Sequence, residues 1–287
     1  MTPTFGCVVL TRGDRPAMLK RALDSLAGQR GVGLDIVVVG NGAAPGGLPE
    51  HVRQVTLPEN LGVPGGRNAG VPHVQGDLLL FLDDDATFPD VRALERIAAL
   101  FAADPTVGAV QPRLADPDGK AAPRRWVPRL RVGDRSRSSD AAGMSEGVVV
   151  VRRDLFERLG GWAAEFFRFH EGIELAWRLW DAGYKVWYAG DVVALHPVPP
   201  AGASAEARYF TSRNRVWLAK RNLPLALAAP HVALWFLRSA ASLRSRRQAR
   251  ELLRGYADGL RTPAGERRPL RWRTVWRMTR AGRPPVV

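Results

Sequence analysis

The sequence predicts an α/β protein: a mainly parallel sheet flanked by helices, followed by a basic helical extension. Three observations predict it. Short apolar runs alternate with helical patterns through the first two-thirds of the chain, which is the signature of strands joined by covering helices. The apolar runs are continuous, not alternating, so both faces of their strands are buried. Near residue 207 the strand-like runs stop and arginine becomes dense. At 287 residues and 46% hydrophobic, the chain can bury one large core or two small ones. It is expected to divide into an α/β domain, 1–207, and a basic amphipathic helical extension, 208–287.

The elements follow in order. "FGCVVL" reads as a strand, and its Cys7, the single cysteine, as a small buried hydrophobe. With one cysteine no disulfide framework forms within the chain, which suits a reducing compartment. After the loop "TRGDRP", the stretch "AMLKRALDSLAGQ" puts Leu19, Ala22, Leu23 and Leu26 on one helical face. "LDIVVVG" is a second buried strand ending in the turn-rich "NGAAPGG", and "VRQVTL" a third, shorter one. "GGRNAGVPHVQG" reads as a short helix, "DLLLFLD" as a fourth strand, and 90–103 as a helix before the strand "VGAVQPRL". Residues 113–145 have no clear period and form a long excursion with a short strand or two. Order returns with "EGVVVVRRDLFERLGGW", a strand and a short helix. "GIELAWRLWDAGYKVWYAG" is a helix capped near Gly183, then a strand, and "DVVALHP" completes the block. The tail from Ser204 is helical in pattern.

The stretch "LLLFLDDDATFPD" raises the chemical question. Three adjacent carboxylates at a strand end repel one another, and helix capping by Asp85 or Asp90 needs only one of them. Asp83 and Asp85, at alternate positions, can reach one hard divalent cation through oxygen. The "DDD" triplet, "TRGDRP" and "GNGA" all fall at strand C-termini, where open α/β sheets bind ligands. Other motifs drop out. "GNGAAP" lacks the third glycine of a dinucleotide fingerprint, "HEGIE" lacks the second histidine of a zinc-protease helix, and no Gly-rich loop ends in Lys-Ser/Thr.

Taken together, these segments resemble family-2 glycosyltransferases, inverting enzymes of the GT-A fold, and among them bacterial rhamnosyl-, galactofuranosyl- and mannosyltransferases. "VVLTRGDRPAMLKRALDSL", "DIVVVGNGA", "ENLGVPGGRNAGV", "GDLLLFLDDDATFPD", "VVVVRRDLFERLGGW", "HEGIELAWRLWDAGYKVWYAGDVVALHP" and "RYFTSRNRVWLAKRNLP" follow the family's order over residues 5–222. The resemblance implies an NDP-sugar donor with a diphosphate leaving group, a Mg²⁺ or Mn²⁺ cofactor, and a glycan or lipid-linked acceptor. It implies Asp85 as metal ligand, with Asp83 beside it or on the ribose, and His196 of "ALHP" on the metal or the diphosphate. A buried or capping histidine is the alternative for His196. Thr11, Arg15, Asn41, Arg67, Asn68, Asp83 and Asp84 are expected on the donor side, with Gly65 and Gly66 allowing close backbone approach. A structural ion pair is the alternative for Arg67.

The acceptor hydroxyl needs a general base. Family members show Glu-Asp-x-Asp at a helix start, where this chain has Glu171-Gly172-Ile173-Glu174. Glu171 is the expected base, Glu174 the reserve and Glu165 a distant third. Relatives commonly carry Asp at the position of Gly40, so the donor base stays open among uridine, thymidine and guanosine.

The net charge of +14 is concentrated in the tail, where 19 Arg and Lys from Arg208 onward face only Glu251, Asp258 and Glu266. "LALAAPHVALWFL" is too short to span a bilayer and is interrupted by Pro230. Beyond it, leucines 243, 252, 253 and 260 share a stripe among arginines, which suits an anionic membrane surface. Packing on the enzyme body or in a homodimer is the alternative. No basic, apolar leader opens the sequence, so the expectation is a cytoplasmic enzyme, peripheral on the inner face of the plasma membrane. Two rival readings are a nucleotidyltransferase, for which "TRGDRP" is a poor signature, and a nucleic-acid-binding protein. Nucleic acid is disfavoured because the tail's aromatics sit with Leu, Ala and Val at helical spacing.

Overall fold

A computed structural model describes residues 2–49, 52–129, 131–145, 147–199 and 204–285. Strands β1 (Thr4–Thr11), β2 (Gly33–Asn41), β3 (Arg53–Leu57), β4 (Leu78–Asp83), β5 (Val107–Ala115), β6 (Ser139–Ala141), β7 (Val148–Arg152) and β8 (Lys185–Leu195) form one sheet. Its order is β3-β2-β1-β4-β7-β5-β8-β6. The pairs β3/β2, β2/β1, β1/β4 and β5/β8 are parallel. β7 lies antiparallel between β4 and β5, and β6 is an antiparallel edge on β8. The mainly parallel α/β fold expected from the alternating runs is therefore present. β8 is one strand where two segments were expected; a register shift opposite Pro112 and Arg113 carries it through Asp191.

Both faces of the sheet are covered, as the continuous apolar runs require. One face packs α1 (Pro16–Ala27) and α3 (Ala93–Ala103) around Val9, Leu80 and Leu82. Helix α1 buries Leu19, Ala22, Leu23 and Leu26, the four residues its period selects. Cys7 is fully buried, and that burial, with Asp35 adding to it, pushes its thiol pKa up and keeps it inert. Helix α3 starts three residues later than expected because Asp90 accepts a hydrogen bond from the Arg92 amide in a turn before it. The other face packs α2 (Gly62–Gly70), α4 (Arg153–Arg158) and α5 (Glu171–Asp181). Gly183 (φ +105) takes the left-handed position just past α5. The excursion 113–145 contains a 3₁₀ turn at Arg124–Trp126 and β6; Arg129 ties it together by donating to the carbonyls of Val132, Asp134 and Arg137.

The tail forms α6 (Ala205–Asn222), α7 (Leu225–Ala241), α8 (Arg246–Arg261) and α9 (Trp272–Arg280). The expected boundary at 207/208 falls inside α6. Trp217, Leu218, Leu223, Ala264, Leu270 and Met278 join the core under α5, so much of the extension is part of the body. Helix α8 packs against α6 and divides the leucine stripe: Leu252 is buried, while Leu253 and Leu260 are 58% and 61% exposed. Pro230 does not interrupt α7, contrary to expectation. It lies on an exposed stretch near the helix start, where the residue whose carbonyl it frees, Ala226, is open to solvent. Among the described residues no helix is long and apolar enough to cross a membrane.

Candidate active site

Strand β1 pairs with β2 on one side and β4 on the other, which makes its C-terminal end the point where the chain's winding reverses. Leu10 is in register with Asp83, so Thr11 and the "DDD" triplet emerge side by side. Thr11, Asp83 and Asp84 line a cleft of about 1140 Å³, together with Asn41, His196, Glu171 and Arg215.

Asp83 Oδ1 lies 2.7 Å from Arg67 Nη2, and its Oδ2 faces His196 Nε2 at 3.6 Å. The same Nε2 is 3.4 Å from Asp85 Oδ1. His196 Nδ1 is 2.9 Å from the Pro197 carbonyl, and donating there leaves Nε2 as the lone-pair nitrogen toward the two carboxylates. Burial by itself would raise the Asp83 pKa, but Arg67 and His196 outweigh it and hold it below the ordinary range. His196 is shifted the other way: burial disfavours its charge, yet Asp83 and Asp85 push its pKa up.

Three observations bear on a divalent ion here. Asp83, Asp85 and His196 each offer one ligand atom, all within 4.8 Å of one another. Asp85 Oδ1 is buried without a hydrogen-bond partner among the described residues. Gly147 keeps the centre open, since a Cβ there would lie 2.9 Å from His196 Cδ2 and 3.5 Å from Asp83 Oδ2. Two carboxylate oxygens and an imidazole suit Mn²⁺ well, and Mg²⁺ when water completes its shell. The residues fit the ion.

Asp84 has a different task. It is 1% exposed; Oδ2 accepts from Thr11 Oγ1 at 2.6 Å and Oδ1 lies 2.7 Å from Arg15 Nη2. Arg15 also pairs with Asp85. Burial raises the Asp84 pKa to about 6 against the opposing pull of Thr11 and Arg15, with repulsion from Asp85 and Asp83 adding to the rise. Thr11, Arg15 and Asp84 thus bind one another, fixing the loop after β1 to the end of β4.

Several residues expected on the donor side are bonded to the scaffold. Arg67 is 0% exposed and packs behind Asp83, with its guanidinium 5.5 Å from the Trp162 ring, so the ion-pair alternative applies. Asn68 exchanges hydrogen bonds with the Trp162 backbone, at 2.8 Å and 2.9 Å. Asn41 donates to the Gly62 carbonyl and accepts from the Leu61 amide, which anchors the loop before α2. Gly66 brings α2 onto the sheet, not onto a ligand: a Cβ there would meet Leu10 at 2.5 Å. Aspartate is excluded at position 40 because the chain folds back, and a Cβ would lie 2.2 Å from the Ala43 carbonyl oxygen.

On the opposite wall Glu171 opens α5 and is 2% exposed. Phe167, Phe169 and His170, just before it, have φ of 62°, 70° and 71°, a left-handed backbone that side chains disfavour. Asn214 of α6 holds this segment by donating to the carbonyls of Phe166, Arg168 and Phe169 at 2.9, 2.7 and 2.8 Å. Gly62 (φ +74) is packed so closely against Phe167 that a Cβ would lie 2.3 Å from its carbonyl oxygen. The reserve candidate Glu174 does not reach the cleft. It is fully buried and contacts Arg178, Arg221 and Asn222 at 2.6, 2.9 and 3.2 Å, which joins α5 to α6. Glu165 is half-exposed beside Arg221 and also outside the cleft. Sequence reasoning missed Asn214, although an Asn between aromatics inside a helix is a signal of its own, because it is disfavoured there without a specific partner.

The sheet order, the cleft at the chain reversal and the strand-end carboxylates define a glycosyltransferase of the GT-A fold. The mannosyltransferase PcManGT from Pyrobaculum calidifontis, solved with GDP-Man and Mn²⁺, has this fold with a TM-score of 0.60 and 20% identity, over 91% of this chain and 88% of that one. The sequence profile of glycosyl transferase family 2 matches residues 7–160, and the chain belongs to that family. It is similar to the O-antigen biosynthesis protein RfbC of Myxococcus xanthus, 26% identical over 81% of this chain and 20% of that protein. It is also similar to the glycosyltransferase AglE of Haloferax volcanii, 27% identical over 71% of this chain and 69% of that protein. This chain thus matches only one-fifth of RfbC's length.

Proposed function

We propose that this protein transfers a sugar from an NDP-sugar to an acceptor hydroxyl with inversion, using a divalent ion held by Asp83, Asp85 and His196 and Glu171 as general base. The observation that carries the reading is that Asp83 and His196, which form one cluster with Asp85, line the same cleft as Glu171, whereas Glu165 and Glu174 do not. A bound ion would neutralise the charge that develops on the departing diphosphate. Arg67 and Pro197 hold Asp83 and His196 in the state that receives it. Glu171, set by the clamped segment before it, takes the proton of the attacking hydroxyl on the opposite face of the sugar. The GDP-Man and Mn²⁺ bound by PcManGT support a nucleotide-sugar and a divalent ion of this kind. Donor sugar and base are chosen from uridine, thymidine and guanosine diphospho-sugars.

The test is a donor screen. Protein is incubated with a panel of NDP-sugars and Mn²⁺ or Mg²⁺, and the nucleoside diphosphate released is measured. Release from one donor class supports the reading. Incorporation from NTPs without NDP-sugar turnover moves the chain to nucleotidyl transfer.

A lipid-linked acceptor at an anionic membrane surface is supported by the tail's outer side. Leu225, Leu234 and Leu237 of α7 are 77%, 41% and 65% exposed, and Trp272 and Trp276 of α9 stand exposed among arginines. Removing residues 232–287 would strip Leu252, Leu270 and Met278 from the core, so point changes make the better test. Leu234→Ser with Leu237→Ser should abolish sedimentation with phosphatidylglycerol vesicles at low salt. A stable dimer that these changes break, without vesicle binding, assigns the face to a second copy.

A further inference from the structure

The wall of the cleft beyond Glu171 is built from α6 and α7, neither of which carries a metal ligand. It presents Arg215 and Arg238 at the ring of Trp235, and His170, just before α5, lines the same cleft. The Arg215 guanidinium lies 3.8 Å from the Trp235 ring centroid, so one of its faces is covered while its N–H edges remain for a ligand. Among the described residues neither Arg215 nor Arg238 has a carboxylate at ion-pairing distance, and the acids lining this wall are Glu171 and the exposed Glu206. Burial pulls the Arg215 pKa down to about 10; Tyr256 opposes the fall and Arg238 adds to it. His170 is 7% exposed, and its Nδ1 is buried without a hydrogen-bond partner among the described residues. A buried guanidinium with no carboxylate at ion-pairing distance is costly unless an anion arrives beside it.

We propose that this wall is a phosphate-binding subsite for the acceptor, with Arg215 and Arg238 as its cationic donors and His170 as a ring N–H donor beside the base Glu171. The inference rests on the transferase reading and names its acceptor class: a molecule that carries a phosphate near the hydroxyl to be glycosylated. Two guanidinium forks and a ring nitrogen suit the several oxygens of a phosphate. Next to Arg238, Leu234 and Leu237 expose apolar surface, which a lipid chain attached to that phosphate would cover.

The experiment first loads the protein with Mn²⁺ and the nucleoside diphosphate identified by the donor screen, so that the donor side is filled. Inorganic phosphate and dodecyl phosphate, below its micelle concentration, are then titrated and followed by calorimetry and by tryptophan fluorescence. Saturable binding is expected, with Kd raised at least tenfold in both Arg215→Gln and Arg238→Gln. Arg238 is exposed on α7, so its variant keeps the test valid if Arg215→Gln folds poorly. Dodecyl phosphate binding at least tenfold tighter than phosphate assigns a lipid phosphate; equal affinities assign a soluble phosphorylated glycan; both support the subsite. No saturable binding of either probe, or binding unchanged in both variants, overturns it. Failure of nucleotide binding in the first step strikes the transferase reading instead.

Discussion

Arg67 stands directly behind Asp83, its Nη2 2.7 Å from Oδ1, and leaves Oδ2 to face His196. The pair divides the carboxylate into a structural oxygen and a functional one. Arg67→Met removes the cation and leaves Asp83 with burial unopposed on that side. Breaking such a pair from one partner costs about 3–5 kcal/mol. Urea unfolding should show a loss of that order together with weaker Mn²⁺ binding. A variant as stable as wild type would mean the pair contributes nothing.

The two glutamates of α5 should fail in different ways. Glu171→Gln keeps the shape and removes the base, so kcat should fall on the order of 10²- to 10⁴-fold, with donor affinity little changed. Glu174→Gln leaves Arg178 and Arg221 without their carboxylate in the core, and should lower thermal stability sharply. A stable, inactive Glu174→Gln beside an active Glu171→Gln would reverse the assignment.

Asn214 is a positioning residue, because it touches backbone and no reacting atom. Asn214→Ala takes the amide donor from the carbonyls of Arg168 and Phe169, while that of Phe166 keeps Arg213. A stability loss of about 1–3 kcal/mol is expected. The specific readout is a fall in kcat of at least tenfold, with nucleoside diphosphate affinity within about twofold of wild type. Equal losses in donor binding and turnover would mean a general structural defect.

His170 gives a pH dependence whose sign follows from its surroundings. Burial, with Arg215 and His231 adding to it, drives its pKa well below 6.5. The native state therefore keeps the ring neutral while the unfolded chain protonates it near pH 6.5. Its contribution to stability is present above that pH and is lost as pH falls toward the depressed native value, at about 1.4 kcal/mol per pH unit. His170→Asn suits the left-handed backbone at φ 71° and removes the titration. Unfolding free energies between pH 7.5 and 5 should fall less steeply for the variant. Parallel curves would show that His170 does not carry the slope.

The sheet and the carboxylate pair Asp83 and Asp85 were legible in the sequence for local reasons, whereas His196 entered through the family resemblance. Continuous apolar runs fix buried strands, the helical period of α1 selects its buried face, and a carboxylate triplet at a strand end needs compensation. What was not legible depends on which distant element comes alongside. Nothing in "GGRNAG" says whether Arg67 points to a ligand or back toward the sheet; the answer is set by Asp83, 16 residues on. Asn214 lies 48 residues from Phe166, and its role exists only because α6 crosses that segment. The leucine stripe of α8 looked uniform because period alone cannot show that Leu252 meets α6 while Leu253 meets solvent.

The central claim is that NDP-sugar turnover runs through an ion at Asp83, Asp85 and His196. It is tested most directly by nucleoside diphosphate release from the preferred donor, measured against Mn²⁺ concentration for wild type, Asp85→Asn and Gly147→Ala. Gly147→Ala changes no ligand and only fills the space between them. Release by wild type should vanish in EDTA and return with Mn²⁺, while both variants need at least tenfold more Mn²⁺ or stay inactive although folded. Full release by wild type in EDTA, or Mn²⁺ curves for both variants that overlay the wild type, would contradict the account.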